Sequence, residues 1–134
     1  MQTKPIKFIY IAHPIGGDVS GNLEAIKWIV HQLIWGHHRL NYTPIPVVPY
    51  YLTCQVLDDS ISYDRELGME LNRAHFVTRK FDEIHLYGDR ISAGMWQEIR
   101  WAEQYGIKVV PCSLATRVAF AQANGKQVLG PGEN

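Results

Sequence analysis

Residues 83–111 read EIHLYGDRISAGMWQEIRWAEQYGIKVVP. EIHLYG (83–88) is a short apolar run rich in strand-forming residues, and it ends on a glycine. In the segment after it, Met95, Ile99 and Ala102 recur on one side of a helix, with Gly106 placed as its C-terminal stop. IKVVP (107–111) is a second apolar run, closed by Pro111. A strand, a helix and a strand in succession describe a parallel pair joined by a helical crossover.

The rest of the chain repeats this grammar. IKFIYIA (6–12) reads as a buried strand between Pro5 and the loop HPIGGDVSGN (13–22). In LEAIKWIVHQLIW (23–35), Leu23, Ile26, Val30, Leu33 and Ile34 fall at helical spacing, with Glu24 in the first turn and Gly36 after the end. NYTPIPVVPYYLT (41–53) interleaves prolines with apolar residues, which predicts a short strand around Ile45 to Val48 and then an irregular loop. Leu67, Leu71 and Ala74 mark the apolar stripe of a helix over about 63–78, in which Gly68 costs about 1 kcal/mol relative to alanine. ATRVAFAQAN (115–124) adds a short last helix, and a loosely ordered tail is expected from about residue 124. Alternating strands and helices predict one α/β domain over residues 1–134: a three-layer, flavodoxin-like (Rossmann-like) parallel sheet with helices on both faces.

Bulk properties narrow the function. Of the 134 residues 46% are hydrophobic and 19% charged, and 13 basic side chains balance 13 acidic ones. A neutral chain without a basic stripe argues against a nucleic-acid polymer as partner, though not against a small anion. The two cysteines, Cys54 and Cys112, lie outside any CxxC spacing, so a reducing cytoplasm is the expected compartment. The apolar run before His13 is too short for a signal peptide or a membrane span, and no membrane partner is expected.

Ligands of open parallel sheets bind beyond the carboxyl ends of the strands. Two glycine-containing strand-to-helix turns occupy such ends: HPIGGDVSGN after the first strand and GDRISAGMWQE after EIHLYG. Neither is a Walker A loop or a GxGxxG turn. In the second turn, Ser92, Ala93 and Gly94 open the helix and Glu98 comes about one turn inside. The N–H groups of residues 93–95 would surround the helix mouth, and the helix dipole would help keep Glu98 ionised, as a nucleophile requires. The plainer alternative pairs Glu98 with Arg100 or Lys108 at the surface.

The elements YIAHP (10–14), Asp82 opening the EIHLYG strand, and S-x-G-M-x-x-E (92–98) leading into E-I-x-x-A-x-x-x-G-I-x-V resemble the nucleoside 2-deoxyribosyltransferase superfamily. That group includes 2′-deoxynucleoside 5′-monophosphate N-glycosidases and small, often phage-encoded relatives. The resemblance runs from about Phe8 to Val110. It implies Glu98 as the nucleophile that attacks C1′ of the sugar, with Tyr10 orienting it. It implies a loop of His13, Pro14, Gly16, Gly17 and Asp18 covering the nucleotide, Ser92 and Gly94 at its 5′ end, and Gly88, Met95 and Asn72 as further substrate-binding residues. Serine at position 92, where nucleoside-using relatives tend to carry an acid, favours a phosphate. Relatives place an aspartate on the preceding helix where this chain has Asn72, and Asp89 is the carboxylate that could replace it. The resemblance further implies a small-molecule nucleotide ligand, no cofactor and a homo-oligomer. Hydrolysis of the glycosidic bond is the leading expectation; sequestration of a nucleotide without turnover, or transfer between bases, are the alternatives.

Other residues carry weaker signals. His31, His37 and His38 lack a third ligand at usable spacing for zinc, so no metal is expected. His85 reads as a packed or partner-facing side chain, and Trp28, Trp35, Trp96 and Trp101 as mostly core or interface. Asp58 and Asp59 read as caps of the next helix or as groups reaching a neighbouring subunit.

Overall fold

The computed structural model describes the backbone of residues 3–129 and the side chains of residues 3–124. Four strands, β1 (Ile6–Ala12), β2 (Thr43–Val47), β3 (Glu83–Leu86) and β4 (Lys108–Pro111), form one parallel sheet in the order β2-β1-β3-β4. The helices are α1 (Val19–Trp35), α2 (Tyr50–Val56), α3 (Ser62–Val77), α4 (Ala93–Gln104) and α5 (Leu114–Leu129), with a 3-10 turn at His37–Arg39. The β1-to-β2 connection steps one way along the sheet and the next two step the other way. Right-handed crossovers therefore put α1 on one face and α3 and α4 on the opposite face, where they touch each other. The expected α/β, three-layer, flavodoxin-like architecture is present.

Strand alternation sorts the core. Tyr10, Ala12, Ile84 and Leu86 point to the face of α3 and α4 and join Phe76, Met95, Ile99 and Ala102 in one buried cluster. Each large apolar side chain buried there contributes about 1.5–3 kcal/mol. Lys7, Ile9, Ile11, Glu83 and His85 alternate to the other face, over which α1 buries Ile26. Gly106, at φ +71°, ends α4 where the sequence places its stop.

Four features differ from the sequence reading. The first helix starts at Val19 rather than after Asn22, because Asp18 caps it by accepting from the Gly21 N–H at 3.0 Å. The loop expected after β2 contains helix α2, which Pro49 opens; proline suits a helix start, where its missing N–H has no partner to lose. The helix α3 spans the expected residues but is rotated. Leu67 and Leu71 are exposed, and Asp64, Gly68, Asn72 and Phe76, spaced by four, turn inward. The last helix continues to Leu129, so the loose tail expected from 124 is helical that far, and residues 130–134 lie outside the described residues.

Prolines 44 and 46 sit inside β2, which the sheet permits because β2 is an edge. In a parallel strand alternate residues bond the same neighbour; the Thr43 N–H bonds the Pro5 carbonyl at 2.8 Å, so the backbone groups of Thr43, Ile45 and Val47 point to β1 and those of both prolines point to the open edge.

Candidate active site

A cavity of about 420 Å³ opens at the carboxyl end of the sheet, between β1 and β3, where the direction of the crossovers reverses. Its wall includes His13 and Gly16 from the β1–α1 loop, and Tyr50, Thr53 and Cys54 from α2. Gly68, Met69 and Asn72 of α3 line it, as do Ser92, Gly94, Met95, Glu98 and Trp101 around α4. That volume lies in the range that holds a small organic ligand.

The centre of the wall is a three-residue cluster. Tyr10, wholly buried at the end of β1, hydrogen-bonds to Glu98 Oε2. Asn72 Nδ2 donates to the same oxygen at 2.8 Å, and Tyr10 Oη lies 2.9 Å from Asn72 Oδ1. The Tyr10 ring is held by Phe76, Phe81 and Tyr50, whose centroids lie 4.9–5.8 Å away. Tyr50 in turn donates its hydroxyl proton to the Ile11 carbonyl at 2.5 Å. Aromatic packing thus fixes Tyr10, and Tyr10 with Asn72 fixes the Glu98 carboxyl.

The electrostatics add a cost of burial to the expectation. Beside the dipole of α4 stands an opposing effect: burial pushes the Glu98 pKa up to about 7, outweighing the hydrogen bonds from Tyr10 and Asn72 that pull it down. Burial, reinforced by the nearby Glu98 carboxyl, also raises the Tyr10 phenol well above its ordinary range. The surface ion pair is excluded: Glu98 faces the cavity, and Arg100 bonds Gln97 at 3.0 Å instead.

At the mouth of α4, Ser92 is the N-cap and its Oγ accepts from the Met95 N–H at 3.2 Å. This takes the Met95 N–H out of the expected ligand cradle. The first two N–H groups of the helix, at Ala93 and Gly94, have no intrahelical acceptor, and both residues line the cavity.

The remaining candidates divide by position. His13 and Gly16 line the cavity, and His13 Nδ1 donates to the Pro14 carbonyl at 2.7 Å. Pro14 is fully buried against Gly88, where a Cβ would lie 2.5 Å from Pro14 Cδ and φ is +101°. Those two residues lock the β1 and β3 loops together rather than lining the cavity. Gly17 and Asp18 are outside the lining, and Asp18 is occupied as the α1 cap. Asp89 does not replace the absent aspartate: its side chain is 83% exposed and pairs with Arg90 at 3.0 Å.

Several lining residues have no counterpart in the sequence reading. Arg90 reaches from the β3 loop to the Gly16 carbonyl at 3.4 Å, and Arg65 stands on the α2–α3 side beside Asp59, which the sequence offered as a cap or a group reaching a neighbouring subunit. The signal for the α3 wall was the four-residue spacing of Asp64, Gly68, Asn72 and Phe76, which a search for apolar stripes passes over. Of the other candidates, Asp58 shapes the turn before α3 by accepting from Ser60 N at 2.9 Å. His85 is buried and bonds Glu83 at 2.8 Å, whereas Trp28 and Trp35 are exposed and pack on His31. Among the described residues no group of three or more His, Cys, Asp or Glu side chains could hold a metal ion, and no helix is long and apolar enough to cross a membrane.

No curated protein and no solved structure matches the chain. A family model does, over residues 7–111, a span that takes in nearly all of the four-stranded sheet and every member of the Tyr10–Asn72–Glu98 cluster. By that match the chain belongs to the family described as "Domain of unknown function (DUF7768)".

Proposed function

We propose that this protein hydrolyses the N-glycosidic bond of a (deoxy)nucleoside 5′-monophosphate, with Glu98 as the nucleophile. The observation that carries the reading is the placement of one carboxyl in the wall of a ligand-sized cavity, oriented by Tyr10 and Asn72 on a single oxygen. Its other oxygen is left to meet a ligand. Attack of that oxygen on C1′ forms a glycosyl ester while the C1′–N bond breaks and its electron pair leaves with the base. In this reading His13, the imidazole of the cavity wall, supplies the proton to the departing base. Water then cleaves the ester. The N–H groups of Ala93 and Gly94 and the Ser92 hydroxyl suit the 5′ phosphate, as helix starts suit anions. The likeness to nucleoside 2-deoxyribosyltransferases supports the same assignment and implies a homo-oligomer, and the free Cys54 and Cys112 suit a cytoplasmic setting. The exposed Leu67, Met69 and Leu71 on α3 suit a subunit contact.

A second reading, capture of a nucleotide without turnover, is favoured by Asn72: an amide stands where the resemblance places an acid, and Glu98 has its pKa raised to about 7. One experiment separates the two. Purified protein is incubated with each deoxyribonucleoside and ribonucleoside 5′-monophosphate, and free base is followed by chromatography. Release of a base by the wild type and not by Glu98→Gln supports the glycosidase. A nucleotide bound and recovered intact supports sequestration, and turnover undiminished in Glu98→Gln removes Glu98 from the nucleophile's role.

A further inference from the structure

The Tyr10–Asn72–Glu98 cluster has a countable number of protons. Three contacts close a ring: Tyr10 Oη with Glu98 Oε2, Asn72 Nδ2 with Glu98 Oε2 at 2.8 Å, and Tyr10 Oη with Asn72 Oδ1 at 2.9 Å. Each contact needs one proton between its heavy atoms. Tyr10 brings one and the Asn72 amide brings one to this ring, so the third can come only from Glu98. Turning the amide end for end changes which atoms pair but not the count. With Glu98 neutral every contact is filled: Glu98 donates to Tyr10, Tyr10 to the Asn72 carbonyl, and Asn72 to Glu98. With Glu98 ionised, the Tyr10 proton belongs to the carboxylate. The Asn72 carbonyl then faces the Tyr10 oxygen with no proton between them.

Asn72 also lines the cavity. We propose that Asn72 couples the ionisation of Glu98 to the arrival of a ligand hydroxyl. In the empty site Tyr10 fills the Asn72 carbonyl and Glu98 stays protonated. A ligand O–H donated to that carbonyl releases the Tyr10 proton to the carboxylate, and the Glu98 proton passes to solvent. Binding and loss of one proton are the whole of the step; no bond to carbon changes and nothing is oxidised. Asn72 is therefore a positioning residue that arms the nucleophile only when a hydroxyl-bearing ligand, such as a sugar phosphate, is in place.

The other titratable groups around Glu98 are Tyr50 and Cys54 on α2, Asp59 and Arg65 on the α2–α3 side, and His13 and Arg90 on the strand-end loops. Tyr50 has its proton committed to the Ile11 carbonyl. Burial, opposed by Tyr10 and Asn72, governs the Glu98 carboxyl.

The ligand half of this proposal rests on the nucleotide reading; the proton count does not. The test follows the Glu98 carboxyl by NMR in protein carrying 13C-labelled glutamate, assigned by its loss in Glu98→Gln. The probes are deoxyribose 5-phosphate, which has no glycosidic nitrogen to cleave, and inorganic phosphate. Without ligand the carboxyl titrates at about 7. Saturating sugar phosphate lowers that midpoint by at least about one pH unit, a tenfold change in proton affinity. Inorganic phosphate leaves it in place, and in Asn72→Ala the sugar phosphate binds without moving it. An unliganded midpoint near the ordinary glutamate value of about 4.3 overturns the neutral ring, whatever the ligand proves to be. A sugar phosphate that binds and leaves the wild-type midpoint unmoved overturns the coupling. Failure of the sugar phosphate to bind at all, with the midpoint at about 7, also overturns the coupling. The base-release screen then reports separately whether the nucleotide reading has fallen with it.

Discussion

Two inward-facing glutamates stand on opposite faces of the same sheet, and the fold treats them in opposite ways. Glu83, on the α1 face, has its two oxygens on two basic side chains: Lys7 Nζ at 3.0 Å and His85 Nε2 at 2.8 Å. Burial pushes its carboxyl up, but those partners outweigh burial and hold it below the usual range. Glu98, on the face of α3 and α4, meets only the uncharged Tyr10 and Asn72, and burial wins. Glu83 has both oxygens engaged and ties its own strand, β3, to β1. Glu98 takes both of its hydrogen bonds on one oxygen and lines the cavity. A buried carboxyl whose charge is answered serves the fold, and one whose charge is left unanswered beside a cavity is poised for chemistry.

The widest separation between the two comes from removing each charge in turn. Glu98 has a folded-state pKa raised above its unfolded value, so its contribution is fully present below about pH 4.5 and is lost as pH rises through about 7. Glu98→Gln, which does not titrate, should therefore gain about 3 kcal/mol relative to wild type between pH 4.5 and pH 8, read from denaturant midpoints at both values. A wild-type curve parallel to that of the variant would mean Glu98 rests ionised.

Glu83→Gln should show the reverse sign. A depressed pKa gives stability that is present above the unfolded value and lost as pH falls through the folded one. The variant should lose about 1–3 kcal/mol at pH 7, and the loss should fade in acid. Equal loss at both pH values would assign the effect to packing rather than charge.

Gly68 sharpens the contrast between wall and scaffold. It has no positive φ, and a Cβ there would meet only Leu57 Cδ1, at 3.4 Å. Gly68→Ala should stabilise α3 by about 1 kcal/mol. Gly68→Leu should fill the cavity and weaken binding of the proposed nucleotide by about tenfold or more without lowering Tm, since it enters open space rather than packed core. Binding unchanged in Gly68→Leu would move the ligand away from α3. The smallest effect belongs to Asp89→Asn, which should alter neither turnover nor Tm, because its carboxyl is exposed and paired only with its neighbour Arg90.

How far these features could be read in the chain depends on what kind of pattern encodes them. The strands and α4 were legible because apolar runs and a Met95–Ile99–Ala102 stripe coincide with what is buried. The face of α3 was not, because its regular stripe, Leu67–Leu71–Ala74, turns its two leucines outward. The inward face is built of Asp64, Gly68 and Asn72, and its glycine and asparagine leave room and offer a polar group to the cavity. Helix α2 was hidden by the prolines before it, which signal a break in the strand and carry no information about the element beyond it. Glu98 was picked out by its place after a strand-end turn, but its protonation depends on Tyr10 and Asn72, 88 and 26 residues away in sequence. Spacing can nominate a carboxyl; only the neighbours brought by the fold set its charge.

The prolines of β2 have a consequence for the molecule in a crowded solution. An open sheet edge invites a strand from another chain, which pairs through alternating donors and acceptors. On the outer side of β2 the donors at positions 44 and 46 do not exist, so an incoming strand finds carbonyls with nothing to complete the ladder. That flank is closed to templated growth at no cost to its pairing with β1. The opposite flank, β4, is four residues long and stops at Pro111. Both margins of the sheet therefore resist extension, and a chain released from the ribosome in many copies is guarded against fibrous self-association by three imino acids.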